Sequence, residues 1–558
     1  MKKIFLTTLF IFSHIICLGQ ISVNNSQIKD LSDPTDDQDG VTKKYLIEKL
    51  NELKIDIFNE IDDDGDGYSE NEGDCDDFNN LIYPYAPETG DGIDNNCDGV
   101  LGDEDLIFLI DSSVPELFYE TINLWGIHMD GLADQITTTN AYQDFWAFCD
   151  QPRRPLNNDI ANNNLYPISR PWNGFYELIE NVNPVLKEIN EGRTIVDTLG
   201  IDLTKEKEMA GYFVRGIALG FIGMIYDKGY FPEQLSSEPH ELINYAEILN
   251  YAKLDLEKSI EISKSNEVSK FQIYNGNIID DDEFRKVAHS YLAKILMGSA
   301  RTSGDYIDYY KVLYHLNQGI TADFDPGAKN GVIYNNYQDW GTYTLSTGAG
   351  YLPVDQKIAY LAEGDETAQP KDYPTDNTIV LDPIANTDDP RIAQYFGYST
   401  SFGYLRESRG RHLYTNTRHA RFYTNNNRNF DGASLNLFPL AELHYLKAEV
   451  HLKLQNLNEA KIILDQSVRG QSGLVTNSDF LSIKKALLYE YAIEMHLNGS
   501  AGTNYFFMRR NDLLQDGTPL QYPVPANELV ERGIDFYTFG GLGAGNPSTA
   551  LGPGWKDF

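Results

Sequence analysis

The stretch that decides the fold is SRPWNGFYELIENVNPVLKEIN, residues 169–190. Phe175, Leu178, Ile179, Val182, Val185, Leu186 and Ile189 recur there at steps of three and four, which places them on one face of an α-helix. Downstream, residues 206–226 are strongly apolar, and Gly211, Gly216, Ala218, Gly220 and Gly223 leave room for close approach by neighbouring helices. Helical patterns also cover 284–299, 440–454, 457–468 and 483–497, paired through short connections. Together they predict a mainly α body over residues 107–558. Between residues 320 and 435 the periodicity fails and Gly, Tyr, Asn and Pro dominate, which predicts long loops with short strands. Long loops on a rigid helical scaffold are where binding residues concentrate.

Ahead of this body the chain changes character twice. Lys2 and Lys3 precede an apolar run from Ile4 to Leu18, the pattern of a signal peptide over residues 1–19 with cleavage after Gly19. The alternative is acylation at Cys17, but Ile16 stands where a lipidation signal carries a small residue. No later run of about 18 apolar residues follows, so the expected mature chain is exported and soluble or peripheral. Residues 20–60 begin as a polar segment with turn signals at Asp33-Pro34 and Asp39-Gly40. Leu46, Leu50, Leu53 and Ile57 then mark a short amphipathic helix. Residues 30–45 are similar to a segment of trimeric fibre and tail proteins that leads into a coiled coil; two heptads are marginal for one, and a single helix lying on a neighbour fits as well.

Residues 61–106 are dense in acids and contain no Lys or Arg. Asp62, Asp64 and Asp66 alternate ahead of Gly67, and Asp94, Asn96 and Asp98 alternate ahead of Gly99. Calcium takes six to eight oxygens, which such a loop supplies from side chains at its first, third and fifth positions and a carbonyl at the seventh. The carbonyls would be those of Tyr68 and Val100. Asp105, with Asp103 beside it, stands at the twelfth position of the second loop, whereas the first has Gly73 there, so Asp74, Asp76 or Asp77 must close it. Without a cation, a disordered acidic linker is the competing expectation. The stretch from Asp64-Gly65-Asp66-Gly67-Tyr68 through Asp74-Cys75-Asp76-Asp77, Tyr83-Pro84 and Asp94-Asn95-Asn96-Cys97-Asp98-Gly99 resembles the MopE-type metal-binding repeat of secreted bacterial proteins. That resemblance implies a structural Ca2+ module and a Cys75–Cys97 disulfide, which an exported chain permits and which would contribute roughly 3 kcal/mol for a loop of this length.

Composition narrows the function. Asp and Glu number 83 against 45 Lys and Arg, for a net charge of −38, which excludes nucleic acid as a partner because phosphates attract bases. Of the 4 cysteines, Cys75, Cys97 and Cys149 would survive cleavage, too few for a disulfide scaffold. The 36 tyrosines include candidates for stacking on the C–H face of a sugar ring. The sequence has no G-x-S-x-G elbow, Walker loop or H-E-x-x-H. Paired acids abound, so a glycosidase is weighed against a binding protein, and the reading is that the chain is not an enzyme.

The body itself carries a resemblance. Pro171-Trp172-Asn173-Gly174-Phe175-Tyr176, Glu208 through Gly216 with Tyr226-Asp227-Lys228-Gly229-Tyr230, Lys286 through Ala293, Asp389-Pro390-Arg391, Leu440 through Glu449, Phe507-Met508-Arg509-Arg510 and Pro523-Val524-Pro525 occur in the order and spacing of the SusD/RagB-like proteins. The resemblance implies a tetratricopeptide-like helical scaffold with long ligand-binding loops. It further implies capture of a glycan, an oligosaccharide or a peptide at the cell-surface face of the outer membrane, with a SusC-like TonB-dependent barrel as partner. The alternative is a structural or assembly subunit of a surface complex. Ligand contacts in that family come from aromatic loops, which here are Tyr142, Phe145 and Trp146, then Tyr334, Tyr337, Trp340, Tyr343 and Tyr351. A second candidate surface is the cationic cluster Arg406, Arg409, Arg411, Arg418, Arg421 and Arg428 with His412 and His419, suited to an anionic ligand or an acidic partner, or else paired with acids of the body.

Overall fold

The computed structural model describes residues 61–118, 126–141, 144–161, 166–231, 240–265, 271–274, 277–324, 352–363, 383–384, 387–398, 405–410, 413–421, 437–498, 501–542, 548–552 and 554–557. The expected signal peptide, amphipathic helix and coiled-coil segment lie outside these. The chain forms two compact units: one runs to Glu88 and includes Asp94–Val100, the other comprises Thr89–Ile93 and Leu101–Phe558.

The described part of the first unit is almost all turns, with one 3-10 turn, Glu70–Glu72, among the described residues. Among the described residues of this unit few apolar side chains are buried, Ile82 and Ala86 being two. A segment with so little core needs other ties. The Tyr83 N–H donates to the Asn95 carbonyl at 2.9 Å and the Tyr85 N–H to that of Asn96 at 3.3 Å. Tyr68 and Tyr83 stack with centroids 5.8 Å apart. Cys75 and Cys97 are joined by a disulfide across 22 residues.

The second unit is mainly α. Its longer helices are α1 (Asp103–Glu116), α2 (Tyr166–Asn190), α3 (Thr204–Ile225), α4 (Tyr245–Ile262), α5 (Asp281–Gly298), α6 (Tyr309–Asn317), α7 (Leu440–Lys453), α8 (Leu457–Gln466), α9 (Phe480–Ile493) and α10 (Thr503–Arg510). Neighbours in sequence pack in space from α2 through α8, and α10 packs on both α5 and α9. Starts are set by capping side chains: Asn244, Asp280, Asp308 and Asp479 each accept from a backbone N–H three residues on. The expected helices 169–190, 206–226, 284–299, 440–454, 457–468 and 483–497 are present, with ends shifted by a few residues. The stripe Phe175 to Leu186 is buried throughout.

Helix α3 is the centre of the body, and its glycines explain how. A Cβ at Gly211 would sit 2.9 Å from Leu186 of α2, one at Gly216 2.8 Å from Leu256 of α4, and one at Gly223 2.6 Å from Leu249 of α4, while Gly220 faces Ile295 of α5. The helix is long and apolar enough to cross a membrane by composition, yet 89% of that window is buried inside the protein. Its C-terminus is held by two buried guanidiniums. Arg301 donates to the carbonyls of Gly223, Met224 and Tyr226, and Arg509 to those of Met224, Gly298, Ala300 and Leu520. Carbonyls at helix C-termini carry partial negative charge and are the natural sink for cations buried without carboxylates.

The described part of residues 320–435 contains the short strands expected there, Phe396–Tyr398 paired antiparallel with Thr417–His419. It also contains helices at Gln356–Glu363 and Pro390–Tyr395 that periodicity did not reveal, because each spans barely two turns.

Candidate functional site

The two acidic loops share three of their four local hydrogen bonds, position for position. In the first, the Asp62 carboxylate accepts from Gly65 N–H at 2.6 Å and Gly67 N–H at 3.1 Å, Asp64 from Asp66 N–H at 3.1 Å, and Asp66 from Tyr68 N–H at 2.9 Å. In the second, Asp94 accepts from Asp98 N–H at 3.2 Å and Gly99 N–H at 2.7 Å, Asn96 from Asp98 N–H at 2.9 Å, and Asp98 from Val100 N–H at 2.8 Å. The turn at the sixth position requires positive φ, 111° at Gly67 and 83° at Gly99, which is why glycine stands at both.

These bonds use only part of each carboxylate. Asp62, Asp64 and Asp66 bring oxygens within 4.8 Å of one another, and so do Asp64, Asp74 and Asp77. Asp77 is 2% exposed and Asp74 4%. Both oxygens of Asp77, and one each of Asp64, Asp66 and Asp74, are buried without a hydrogen-bond donor. Such atoms are rare in proteins because an unmet buried acceptor is costly. Burial raises the pKa of Asp74; the Asp76 amide opposes it, and the carboxylates of Asp66, Asp64 and Asp77 add to the rise. Glu70 is also raised: its own amide works the other way, but burial and the facing Asp77 prevail. Oxygen-only ligands converging on one point fit a hard divalent cation. Of the three acids that could close the first loop, Asp74 and Asp77 point into the cluster. Asp103 and Asp105 belong to the second unit. There Asp103 pairs with Arg193 at 2.7 Å and accepts from Val196 N–H, while Asp105 accepts from Gly92 N–H and from Gly102 N–H at the start of α1.

In the body, Trp146 lies on a short helix, Phe145–Cys149. The Arg154 guanidinium lies 3.9 Å and that of Arg409 4.8 Å from its ring centroid, and its indole N–H donates to the Arg409 carbonyl at 3.2 Å. The ring therefore serves as a platform for cations. Phe145 is core, stacked on His128. Tyr142, Tyr334, Tyr337, Trp340, Tyr343 and Tyr351 lie outside the described residues. Cys149 is a buried free thiol, its pKa pushed well up by burial first and by nearby Asp355, Asp134 and Asp150.

The cationic cluster separates into two places. Arg421 joins a buried network: it pairs with Glu494 at 2.7 Å, Arg391 bridges Asp389, Glu490 and Glu494, Arg469 pairs with Glu490 at 3.1 Å, and the hydroxyls of Tyr395, Tyr445 and Tyr489 donate to the same carboxylates. His419 is buried and stacked on His496. Arg409 instead joins Arg154 over the Trp146 ring, with Arg406 near enough to act on Arg409 and Asp150 paired to Arg153 and Arg154 at 3.2 Å each. Arg411, His412 and Arg428 lie outside the described residues. The Arg153-Arg154 pair was not singled out in the sequence, although two adjacent arginines in so acidic a chain were a visible signal.

The family model of the MopE type, which describes a metal-binding motif and is named for copper, matches residues 74–103. No curated protein matches the sequence. Among solved structures, a SusD superfamily protein from Bacteroides vulgatus superposes over 77% of this chain and 97% of its own, with TM-score 0.51 at 13% identity. A SusD-like carbohydrate binding protein from the same organism covers 75% and 86% with TM-score 0.48 at 14% identity, and the surface glycan-binding protein A from Bacteroides uniformis 73% and 88% with TM-score 0.48 at 15% identity. The body has the SusD fold, and residues 74–103 carry a MopE-type metal-binding motif.

Proposed function

We propose that this protein captures glycan at the cell-surface face of the outer membrane, without chemical change to it, as the SusD-like partner of a SusC-like TonB-dependent barrel. The observation that carries this reading is the SusD fold spanning nearly the whole length of a superfamily member. A rigid helical body that supports irregular segments suits capture, because binding residues on such segments are held by the scaffold beneath. We propose further that the first unit binds Ca2+ through Asp62, Asp64, Asp66, the Tyr68 carbonyl, Asp74 and Asp77, and through Asp94, Asn96, Asp98 and the Val100 carbonyl. The orphaned oxygens of Asp77 support that choice, since soft metals favour thiolate or imidazole ligands. The test of the transport reading is purification of the protein from its native envelope in mild detergent, with identification of what comes with it, beside a glycan array. A co-purifying barrel and saturable glycan binding are expected. A barrel with a blank array would point to an assembly subunit; glycan turnover would overturn the reading altogether.

A further inference from the structure

We infer that the arginines gathered at Trp146 recognise an anionic glycan, a polysaccharide bearing carboxylate or sulfate groups. The inference rests on the glycan-capture reading and specifies its substrate class. In a chain of net charge −38, the guanidiniums of Arg154 and Arg409 both lie over the Trp146 ring, Arg406 is near enough to act on Arg409, and Asp150 is the carboxylate shared by Arg153 and Arg154. Arg406 and Arg409 pair with no carboxylate among the described residues. Arg409 donates through one nitrogen to the Thr139 carbonyl at 2.7 Å, and Arg406 is exposed. One Nη of Arg154 is buried and has no acceptor. The excess of positive charge is felt locally: burial lowers the pKa of Arg409, and Arg406 and Arg154 lower it further. Like charges are not gathered this way for stability, and an oxyanion placed among them would relieve the repulsion.

The arrangement is also held in place. The Arg406 N–H donates to Thr139 Oγ1 at 2.5 Å, the Arg409 carbonyl accepts from Trp146, and the indole supports the Arg154 guanidinium. The planar guanidinium fork matches carboxylate and sulfate oxygens two at a time, and groups already positioned lose little entropy on binding. A polyanion meets repulsion from the rest of this acidic chain, so the contact residues, and not long-range attraction, must supply the affinity.

The experiment is affinity gel electrophoresis of the full chain through dextran, dextran sulfate, polygalacturonate and poly-glutamate at about 0.15 M salt, where the Debye length is about 8 Å. Wild type should be retarded by dextran sulfate or polygalacturonate and not by dextran, the two polyanions telling sulfate from carboxylate recognition. R406Q/R409Q should weaken that retardation at least about tenfold, and R406Q alone, a change at an exposed side chain, several-fold, with unchanged melting. Equal retardation by dextran would overturn the inference and leave glycan capture standing. No retardation by any glycan would overturn both. Retention by poly-glutamate as strong as by the polysaccharides, or R406Q and R406Q/R409Q binding as wild type does, would also overturn it.

Discussion

Asp77→Asn provides a test in which two effects must have opposite signs. Asp77 is buried, and neither of its oxygens receives a hydrogen bond. Without metal it is therefore an uncompensated buried carboxylate, and making it neutral should stabilise the first unit by about 1–3 kcal/mol, the range for an unmet buried polar group. With calcium the same change removes a charged ligand, for which we expect at least about tenfold weaker binding, about 1.4 kcal/mol. At a free calcium concentration one hundred times the wild-type Kd, linkage stabilises the metal-binding fold by about 2.7 kcal/mol; the tenfold loss reduces that to about 1.4 kcal/mol. Extracellular modules bind with Kd of about 0.1–1 mM, so titrations to tens of millimolar cover the range. Hydrogen exchange followed by mass spectrometry of peptides within residues 61–100 reads this unit apart from the helical body. Calcium should slow exchange in wild type, and the variant should exchange more slowly than wild type in chelator but gain less on adding calcium. If calcium changes nothing, or if Asp77→Asn accelerates exchange equally with and without it, Asp77 is a structural carboxylate and the metal site is misplaced.

Trp172→Ala should cost about 3–5 kcal/mol, since the ring is 1% exposed, sits against Tyr176, Tyr226 and Tyr230, and donates its N–H to Glu528 at 3.3 Å; urea unfolding measures it, and a loss below about 1 kcal/mol would contradict the packing. Glu490→Ala should cost about 3–5 kcal/mol by leaving Arg391 and Arg469 with a carboxylate fewer in a buried network, and a melting curve matching wild type would refute that. Burial works to raise the pKa of Asp389, but the bonds from Arg391 and Tyr489 prevail and hold it below its ordinary 3.8. A depressed folded pKa gives stability that is complete above the unfolded value and lost as pH falls through the folded one. Asp389→Asn should accordingly be less stable than wild type near neutral pH, the difference shrinking only as pH falls below the ordinary 3.8, in acid-unfolding curves. Parallel curves across that range would show that Asp389 does not act through its charge.

The amino-acid sequence alone determined what depends on local spacing. The step of three and four over residues 169–190 sets a helix whatever surrounds it, because 3.6 residues per turn align those side chains. Alternate acids ending in glycine set the two loops, because each carboxylate bonds an N–H only a few residues ahead. What the sequence could not assign was the use of charges, since an arginine's role depends on which residues far along the chain reach it. Arg421 and Arg409 looked alike in sequence, yet Arg421 meets Glu494 in a buried network while Arg409 lies over Trp146. Arg301, which no sequence pattern marked, and Arg509, which the sequence showed only within Phe507-Met508-Arg509-Arg510, hold the end of α3 through carbonyls up to 285 residues away. Which acid closes the first loop was likewise undecided until the chain brought Asp74 and Asp77 back against Asp64. Periodicity records which side faces the core, but the pairing of charges is settled only when separate elements pack.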